Sequence, residues 1–564
     1  MKVHEGEGSD SSILDAQMEY SCDYAKNFDC SSSSLDSYGG AEASVSSFCD
    51  LQMRLSEISA TSVGKTSEYM LQEEIKDAYA STCTIISKIQ PTPPPLPIFL
   101  PIIEVISRFG FKEMCMIVWF IWKRGGRKKL PPSPREVPVL GNLHQLRLLP
   151  HRDFLVLSKK HGPLMLLHFG RVPVLVVSSE DAARAIMKNH DLSFADRPRY
   201  KAHKKILYNG KDVVFTPYGE YWRQAKGHFI LKLLSNKRVQ SFRPIREEET
   251  ALFVHKIRES SGRPSDKGKE SLVLMMEMTE ALGAISIGEF IPWLRWIDRI
   301  NGFDKKVDRI AAGLDGVLET VIRERLGNQV ESLEDKTEVD FVDILLQIYT
   351  HDVSTNRDSI KAIILDVFGA GTDTSAVVLE WTLTELLRHP KAMRKLQEEV
   401  RGIIGHKKDI TDDDIDKMHY LKAVIKESLR LHPPFPLLLP MVATRDVKVK
   451  GYGVAAGTVV MVSFWAIGRD PELWDEPDKF MPERFLNSSI DFKGVDFELI
   501  PFGGGRRGCP GIAYSMAVIE LLVANLVAKF DWKLADGKDL NMNEGPGITA
   551  HRVVPLHAVA TVVA

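Results

Sequence analysis

The 564-residue sequence is poor in cysteine and has no uninterrupted hydrophobic run long enough to cross a membrane. Of its six cysteines, five lie at or before Cys115 at irregular spacing, without a CxxC pair or a histidine cluster beside them. This pattern argues against a disulfide framework and against a structural zinc site. The formal net charge is only −2, which argues against a nucleic-acid partner.

Charge is distributed unevenly along the chain. Residues 1–80 contain 5 Lys and Arg against 15 Asp and Glu, and serine and glycine are frequent there. Such a segment buries too little apolar surface to offset the entropy cost of ordering it. Residues 1–95 are therefore predicted to be an acidic, serine-rich, disordered extension. From residue 130 the composition is that of a folded domain, predicted to span 130–564.

Residues 96–129 join these two parts as an interrupted hydrophobic segment followed by a basic linker. The apolar runs 96–103 and 114–122 are separated by four charged residues, so they fall short of the roughly 20 apolar residues that a spanning helix needs. An interfacial or re-entrant position at a membrane is predicted instead. Residues 123–129, KRGGRKK, put positive charge where the cytosolic flank of an anchor carries it.

The most informative stretch is residues 501–511, PFGGGRRGCPG, a glycine-rich turn that carries Cys509. An apolar helix is predicted after it, over 512–530, with Pro510 at the first helical position. Cys509 would then lie at a helix N-terminus beside Arg506 and Arg507, a setting that favours the thiolate. A phosphate loop would need Gly-Lys-Ser/Thr here, and zinc would need further ligands nearby. One thiolate facing one metal position fits haem iron better.

With these residues the sequence resembles the cytochrome P-450 superfamily, whose haem-binding pattern is Phe-x-x-Gly-x-Arg-x-Cys-x-Gly. The resemblance implies a mainly α fold with a smaller β region (α+β). In that fold haem b lies between a long central helix and the cysteine-loop helix. Cys509 would be the axial ligand of the haem iron. The loop residues that the resemblance places against the cofactor are Phe502, Gly503, Gly505, Arg507 and Gly511.

The longest helical pattern covers residues 359–388 and has small and polar residues, GAGTDTS, at its centre. Small residues let a planar cofactor approach, and an acid beside an alcohol is a proton relay in outline. By resemblance, Ala370 and Gly371 contact the haem, whereas Asp373 and Thr374 are catalytic residues that deliver protons. A helix bend with polar residues facing a crevice is the alternative interpretation of the same pattern.

Trp222 and Lys226 lie four residues apart, on one face of a helix predicted to begin near Tyr218. Family members have a Trp-x-x-x-Arg pair here that donates hydrogen bonds to a haem propionate, so both residues are predicted to bind the cofactor. Lysine keeps the charge but lacks the planar two-pronged donor of arginine, which predicts a weaker hold. Met441 likewise stands where the family generally has an arginine beside the haem.

Glu427 and Arg430 are spaced i, i+3 on a predicted helix, where they would pair with each other. An exposed ion pair of this kind contributes little to stability. The resemblance adds Arg484, from a Pro-Glu-Arg-Phe segment, and implies a buried network of the three residues behind the haem. All three are therefore predicted to be structural.

The substrate side of the predicted domain is short. Between residues 260 and 296 the family pattern usually holds several tens more residues, including part of the roof over the active site. Either this chain has a shortened, incomplete substrate side, or the sequence joins pieces that do not belong together. The apolar residues predicted to line the substrate are Phe368, Leu437, Leu438, Leu439 and Ile548.

The resemblance implies a plant microsomal monooxygenase that inserts one oxygen atom from O2 into a lipophilic small molecule of the secondary-metabolite type. Its electrons would come from NADPH through a separate flavoprotein reductase, and the mild cationic excess of the domain suits docking of an acidic partner. A location at the membrane surface, on the cytosolic face of the endoplasmic reticulum, is implied as well. Two alternatives stay open. A haem-thiolate isomerase or dehydratase would use no external O2, and the presence of both Asp373 and Thr374 argues against it. A non-catalytic or truncated haem-binding remnant is favoured by the short middle, Lys226 and Met441.

Overall fold

The computed structural model describes residues 129–259, 269–284, 286–328, 341–350, 357–405, 407, 410–535 and 540–563. The acidic extension predicted at 1–95 lies outside the described residues. So does the hydrophobic segment with its basic linker at 96–129, except for Lys129. These two assignments stay predictions, and the structure described below belongs to the predicted folded domain.

Helices make up most of the described domain, in agreement with the predicted fold class. In chain order they are α1 (Pro150–His161), α2 (Glu180–Arg184), α3 (Lys201–Ile206), α4 (Glu220–His228), α5 (Asn236–Ser241), α6 (Arg243–Glu259), α7 (Lys269–Gly283), α8 (Ile287–Phe290), α9 (Ile297–Ile300), α10 (Phe303–Asn328), α11 (Phe341–Thr350), α12 (Arg357–Arg388), α13 (Pro390–Ile404), α14 (Asp412–Ile415), α15 (His419–Leu431), α16 (Phe464–Ile467) and α17 (Ile512–Lys529). Short π-helical segments are Ala185–Asn189 and Phe229–Leu233, and 3-10 segments are Leu143–Gln145, Asp191–Phe194, Pro292–Leu294, Pro482–Phe485 and Gly505–Arg507.

The β region is small and consists of three separate sheets in the described residues. The strands are β1 (Leu164–Phe169), β2 (Val172–Val177), β3 (Met441–Val442), β4 (Val447–Val449), β5 (Tyr452–Val454), β6 (Val459–Val462), β7 (Phe530–Leu534) and β8 (Ala558–Val562). The largest sheet has the order β1-β2-β6-β3, with β2 and β6 parallel and the other pairs antiparallel. The parallel pairing begins at Val174, after Pro173, because proline cannot donate a ladder hydrogen bond. The other sheets are the hairpin pairs β4-β5 and β7-β8.

The two predicted long helices form the centre of the fold. α12 and α17 pack against each other and against α15 and α13. Both are long and apolar enough, by length and composition, to cross a membrane, yet here they lie inside the fold. The apolar faces predicted from the sequence are therefore used for packing against other helices.

The middle of the chain folds onto the first half of α12. α7 passes so close to it that a Cβ added at Gly369 would lie 2.8 Å from Met278 Cε. α10 joins from the same side through Lys361, whose Nζ lies 2.6 Å from Asp315 Oδ1. The Met-rich sequence of residues 271–282 predicts one helix, which corresponds to α7, whereas the long helix α10 was not predicted. These two helices supply a roof over part of α12 despite the short sequence in this region.

Candidate active site

Cys509 lies in the turn between the 3-10 segment Gly505–Arg507 and α17. The turn is closed by Cys509 N, which donates to Phe502 O at 2.9 Å, and Gly511 N donates to Cys509 Sγ at 3.4 Å. α17 begins at Ile512 with Gly511 as its cap, so the helix starts two residues later than the predicted position of Pro510 implied. The turn presents one thiol beside the first turn of α17.

Two glycines of this loop, Gly503 and Gly505, share a positive φ but differ in the space around them. Gly503 and Gly505 have φ of +68° and +63°, which side-chained residues rarely adopt. A Cβ at Gly505 would also lie 1.9 Å from Met187 O, whereas one at Gly503 would meet nothing within 4 Å. Gly505 is thus needed for packing against the π-helical segment Ala185–Asn189, and Gly503 leaves open space in front of the loop.

The thiol of Cys509 is accessible, although protein surrounds it. Burial raises the pKa of this thiol, and the Gly511 N–H and the charge of Lys226 lower it by less. The prediction that the free protein favours the thiolate is therefore wrong: the desolvation cost outweighs the helix N-terminus. A metal bound to the sulfur would displace the proton directly.

The two arginines beside Cys509 are directed elsewhere. Arg506 Nε lies 2.8 Å from Asp191 Oδ2. Arg507 donates to Ala195 O and to Thr216 O, each at 2.6 Å, so it fastens the loop that runs over residues 195–216. Their charges were predicted to act on the thiol, but neither arginine is among the groups that shift the pKa of Cys509.

Trp222 is buried on α4, and its indole Nε1 donates to Val213 O at 3.0 Å. Lys226 Nζ lies 5.0 Å from the centre of the Trp222 ring and donates to Arg506 O. The structure brings both predicted residues next to the cysteine loop, but the indole N–H is already paired with backbone. A hydrogen bond from Trp222 to a propionate would require this pair to break.

Arg197 is a buried cation that the sequence analysis did not assign to the site. Its guanidinium donates to Leu439 O and Pro440 O at 2.8 Å and to Val214 O at 3.1 Å. Burial, and then the charge of Arg507, lower the pKa of Arg197 to about 9. It lies directly beside Met441, the position where an arginine was expected. The loop sequence Phe-Ala-Asp-Arg-Pro contains Arg197, but no local pattern predicts that its guanidinium contacts residues 439 and 440.

α12 leaves part of its central stretch accessible. Ala370 and Gly371 are exposed, and Phe368 is 49% exposed although the helix is a core element. Thr374 Oγ1 donates to Ala370 O at 2.6 Å, the backbone contact that a mid-helix threonine can make. Accessible small residues on a core helix indicate an internal space rather than outer surface.

Asp373 is buried and contacts a residue that the sequence analysis missed. His551 Nε2 lies 2.8 Å from Asp373 Oδ1, and these residues are 178 positions apart in the chain. The other oxygen, Asp373 Oδ2, is buried and has no hydrogen-bond partner among the described residues. The two residues predicted as a relay thus have different partners: Asp373 is paired with the imidazole of His551, and Thr374 with a backbone carbonyl.

The structure brings Glu427, Arg430 and Arg484 together. Glu427 and Arg430 are completely buried, and Arg430 Nε and Nη2 each lie 2.8 Å from a carboxylate oxygen of Glu427. Arg484 Nε donates to Glu427 Oε1 at 3.0 Å. Arg430 also donates to the carbonyls of Gly468 and Pro477. One carboxylate therefore ties α15 to the segment 468–484.

The predicted apolar wall is not one surface. Leu437, Leu438 and Leu439 pack into three different apolar clusters, because the chain turns at Leu438, which has φ of +48°. Ile548 and Leu439 pack against the same cluster, which includes the first half of α12. Leu438 belongs to the core between α15, α17 and the large sheet. Of the three leucines, the structure groups only Leu439 with Ile548.

These residues fit the haem that the resemblance implies. Within the described residues no group of three or more His, Cys, Asp and Glu could hold a metal ion, which leaves Cys509 as a single sulfur ligand. Burial and the charge of Arg507 lower the pKa of Lys226 to about 8, and Arg197 has a lowered pKa for the same two reasons. Lys226, Arg507 and Arg197 thus form a group of cations at the cysteine loop, which suits the two carboxylates of a haem.

Comparison with known proteins gives the same family. The family model described as Cytochrome P450 matches residues 131–290 and 265–554. The two matched segments overlap at residues 265–290, within the region where the sequence is short compared with the family pattern. One solved structure similar to this chain is a zebra fish cytochrome P450 with abiraterone, with a TM-score of 0.61 and 26% sequence identity. The match covers 74% of this chain and 100% of that chain.

Plant relatives are closer in sequence. Cytochrome P450 71A8 of Mentha piperita is 53% identical over 498 residues, covering 81% of this chain and 97% of the relative. Cytochrome P450 736A117 of Prunus mume is 51% identical over 466 residues, covering 76% and 90%. The (+)-menthofuran synthase of Mentha piperita is 47% identical over 465 residues, covering 77% and 94%. The chain belongs to the cytochrome P450 family, as a plant 71A-like monooxygenase with haem b as its cofactor and electrons supplied by a redox partner.

Proposed function

We propose that this monooxygenase oxidises a lipophilic small molecule of plant secondary metabolism, with electrons that come from NADPH through a flavoprotein reductase, at the cytosolic face of the endoplasmic reticulum membrane. The observation that carries the proposal is the accessible thiol of Cys509, the one cysteine among the described residues. It lies on a loop beside α17, and α17 packs on the helix that bears Asp373 and Thr374.

The residues around Cys509 are given these roles. A bound haem supplies O2 activation and the transfer of one oxygen atom to an unactivated C–H bond. Cys509 would hold the iron as thiolate, and Lys226, Arg507 and Arg197 would hold the propionates by charge. Asp373 carries a proton to Thr374, whose hydroxyl is already oriented by its bond to Ala370 O.

The substrate is proposed to be apolar. Phe368, Leu439 and Ile548 are the members of the predicted lining that lie on or against the first half of α12. An apolar ligand that covers these accessible apolar side chains removes their surface from water, which favours binding. Two relatives whose names state a product or substrate, the menthofuran synthase and the tabersonine/lochnericine 19-hydroxylase of Catharanthus roseus, support a plant metabolite of this kind.

The decisive experiment is a carbon monoxide difference spectrum of the reduced protein. The parent should give the band of a thiolate-ligated haem, and Cys509→Ser should lose it. Cys83→Ser, in the N-terminal extension, is the matched control and should keep it. A parent without this band would mean a non-catalytic haem-binding remnant.

The reaction type is tested with labelled oxygen. Microsomes containing the protein, a plant NADPH-dependent reductase and a panel of apolar plant metabolites are supplied with ¹⁸O2. A product heavier by one ¹⁸O atom supports the monooxygenase. A product that forms equally under nitrogen would identify an isomerase or dehydratase instead.

Docking of the reductase is proposed at exposed cations near the cysteine loop, on and after α4: Arg223, Lys232 and Lys237. Lys232→Glu and Lys237→Glu should raise the reductase concentration needed for half-maximal electron transfer, and more so at low salt. Lys533→Glu is the control, because it lies beyond α17, whose 18 residues span about 27 Å. Equal effects of all three substitutions would contradict this site.

Membrane contact is proposed at an exposed apolar patch formed by Val139, Leu140, Trp293, Trp296 and Ile300, each between 39% and 76% exposed. The two parts of the patch flank one turn, because Gly170 N donates to Leu140 O and Arg171 N to Phe290 O, both at 3.1 Å. Tryptophan is favoured at membrane interfaces. Trp119 and Trp122, in the predicted membrane segment, are first changed to Phe, and brominated lipids should still quench the fluorescence of this full-length protein. Changing both Trp293 and Trp296 to Phe in addition should remove most of the remaining quenching, whereas changing buried Trp474 should not.

A further inference from the structure

His551 is a titratable side chain placed directly on the acid of the proposed relay. Its Nε2 lies 2.8 Å from Asp373 Oδ1, and its side chain is 30% exposed against 9% for Asp373. The pair therefore connects a buried carboxylate on α12 with a group that water can reach.

The loop that carries His551 is held on several sides. Trp381 Nε1 donates to Ala550 O at 2.8 Å, and Ala550 N donates to Pro434 O at 2.9 Å. Gly545 N donates to His551 O at 2.7 Å. These bonds fix the backbone on both sides of the imidazole, so the contact with Asp373 does not depend on a freely swinging side chain.

The two carboxylate oxygens of Asp373 have different surroundings. Oδ1 faces His551, whereas Oδ2 is buried and has no partner among the described residues. A buried carboxylate oxygen without a hydrogen bond is costly, so the pairing of Oδ1 must offset part of that cost. It also leaves Oδ2 free to take part in proton transfer.

The electrostatic surroundings favour the imidazolium. Burial opposes the charged form, but the hydrogen bond to Asp373 and the charges of Asp373 and Glu380 outweigh it, so the pKa of His551 is raised. Arg552, the next residue, turns its guanidinium to Thr384 and to Asn541 O. His432, which stacks on Trp381, is paired with Glu385.

We propose that His551 is a positioning residue for Asp373 and the point at which protons from solvent enter the relay. The imidazolium gives the proton on Nε2 to Oδ1 of the Asp373 carboxylate, which leaves a neutral imidazole and a neutral carboxylic acid. Nδ1 keeps its own proton through this step, and a proton from bulk water then returns to Nε2, which restores the imidazolium. This inference rests on the role given to Asp373 in the proposed function.

The first test measures the pairing itself and does not need turnover. Hydrogen–deuterium exchange at the imidazole C2 position, followed by mass spectrometry across a pH series, gives the titration of each histidine in the full-length holoprotein. His551 should titrate above an ordinary histidine in the parent. In Asp373→Asn its midpoint should move to lower pH, because the hydrogen bond and the charge that raise it are removed. His557→Gln, an exposed change in the same terminal segment, should leave the His551 titration unchanged. The same midpoint in the parent and in Asp373→Asn would overturn the pairing.

The second test asks whether the pair supplies protons. Reduction of O2 to water consumes four electrons and four protons, whereas hydrogen peroxide needs two of each, so slow proton delivery diverts NADPH electrons to peroxide. With reductase, NADPH and no organic substrate, His551→Gln should release severalfold more peroxide per NADPH than the parent or His557→Gln. The dependence of this ratio on pH around the His551 midpoint should disappear in His551→Gln.

The outcomes separate the two proposals. If the parent has the thiolate carbon monoxide band while His551→Gln matches it in peroxide yield and pH dependence, the role of His551 fails and the monooxygenase stands. If the parent lacks the band, the proposed function fails. Should His551→Gln not retain haem, the comparison of the parent with Asp373→Asn still decides the pairing.

Discussion

Replacing Glu427 with glutamine should destabilise this protein strongly, because one buried carboxylate balances two guanidinium groups. Glu427 and Arg430 are 0% exposed, and Arg484 reaches the same carboxylate. Met481 N also donates to Glu427 Oε1 at 2.8 Å. Glutamine has nearly the same shape but no charge, and it turns an N–H₂ group toward at least one guanidinium N–H.

The size of the effect follows from the uncompensated charge. Removing one partner of a buried ion pair costs about 3–5 kcal/mol. With an unfolding entropy of about 2.1 cal/mol/K per residue, a folded domain of about 430 residues loses roughly 0.9 kcal/mol of stability per degree near Tm. The expected fall in Tm is therefore about 3–6 °C.

The assay is thermal unfolding of the parent and the variants, followed by far-ultraviolet circular dichroism at a fixed scan rate. Glu483→Gln is the matched control, because Glu483 precedes Arg484 but is 47% exposed in its pair with Lys395. An exposed pair of this kind contributes only about 0–1 kcal/mol. If Glu427→Gln lowers Tm no more than Glu483→Gln does, the buried network of Glu427, Arg430 and Arg484 does not stabilise the fold.

Two further predictions concern the cysteine loop and the contact of α1 with the C-terminal region. Gly505→Ala should reduce haem retention and Tm far more than Gly503→Ala: both have positive φ, which costs about 1–2 kcal/mol, but only the first adds a Cβ 1.9 Å from a backbone oxygen. Equal losses would mean that strain, not packing against Met187, requires glycine. Glu544 is buried, but its hydrogen bond to His151 and the charges of His151, Arg152 and Arg469 outweigh burial and lower its pKa to about 2 from 4.5. Its contribution to stability should therefore be complete above pH 4.5 and disappear as the pH falls toward 2. Urea unfolding should find Glu544→Gln less stable than the parent at neutral pH, with the difference shrinking over that acid range; a difference that stays constant with pH would refute the assignment.

The main helices and one strand of the large sheet could be predicted from local patterns in the sequence. The helical pattern of residues 359–388 and the apolar run 512–530 predict α12 and α17 to within two residues at each end. The largely β-branched run VPVLVV at 172–177 predicts a strand, which is β2. Glycine spacing around Cys509 predicts a tight loop before a helix, because positive φ and helix capping are properties of a few neighbouring residues. The family motif lies in these same local stretches. The fold class and the haem cofactor could therefore be predicted from the sequence, and both are confirmed.

Tertiary structure alone decided how the site residues are used. The indole of Trp222 is paired with Val213 O, Arg197 lies beside Met441, and the chain turns at Leu438 to send three leucines into different clusters. Burial around Cys509 outweighs the helix terminus that the sequence suggested. His551 reaches Asp373 across 178 residues, a contact that no local pattern contains. Periodicity and turn preferences act over a few residues, whereas desolvation, pairing and pKa depend on which distant segments pack together.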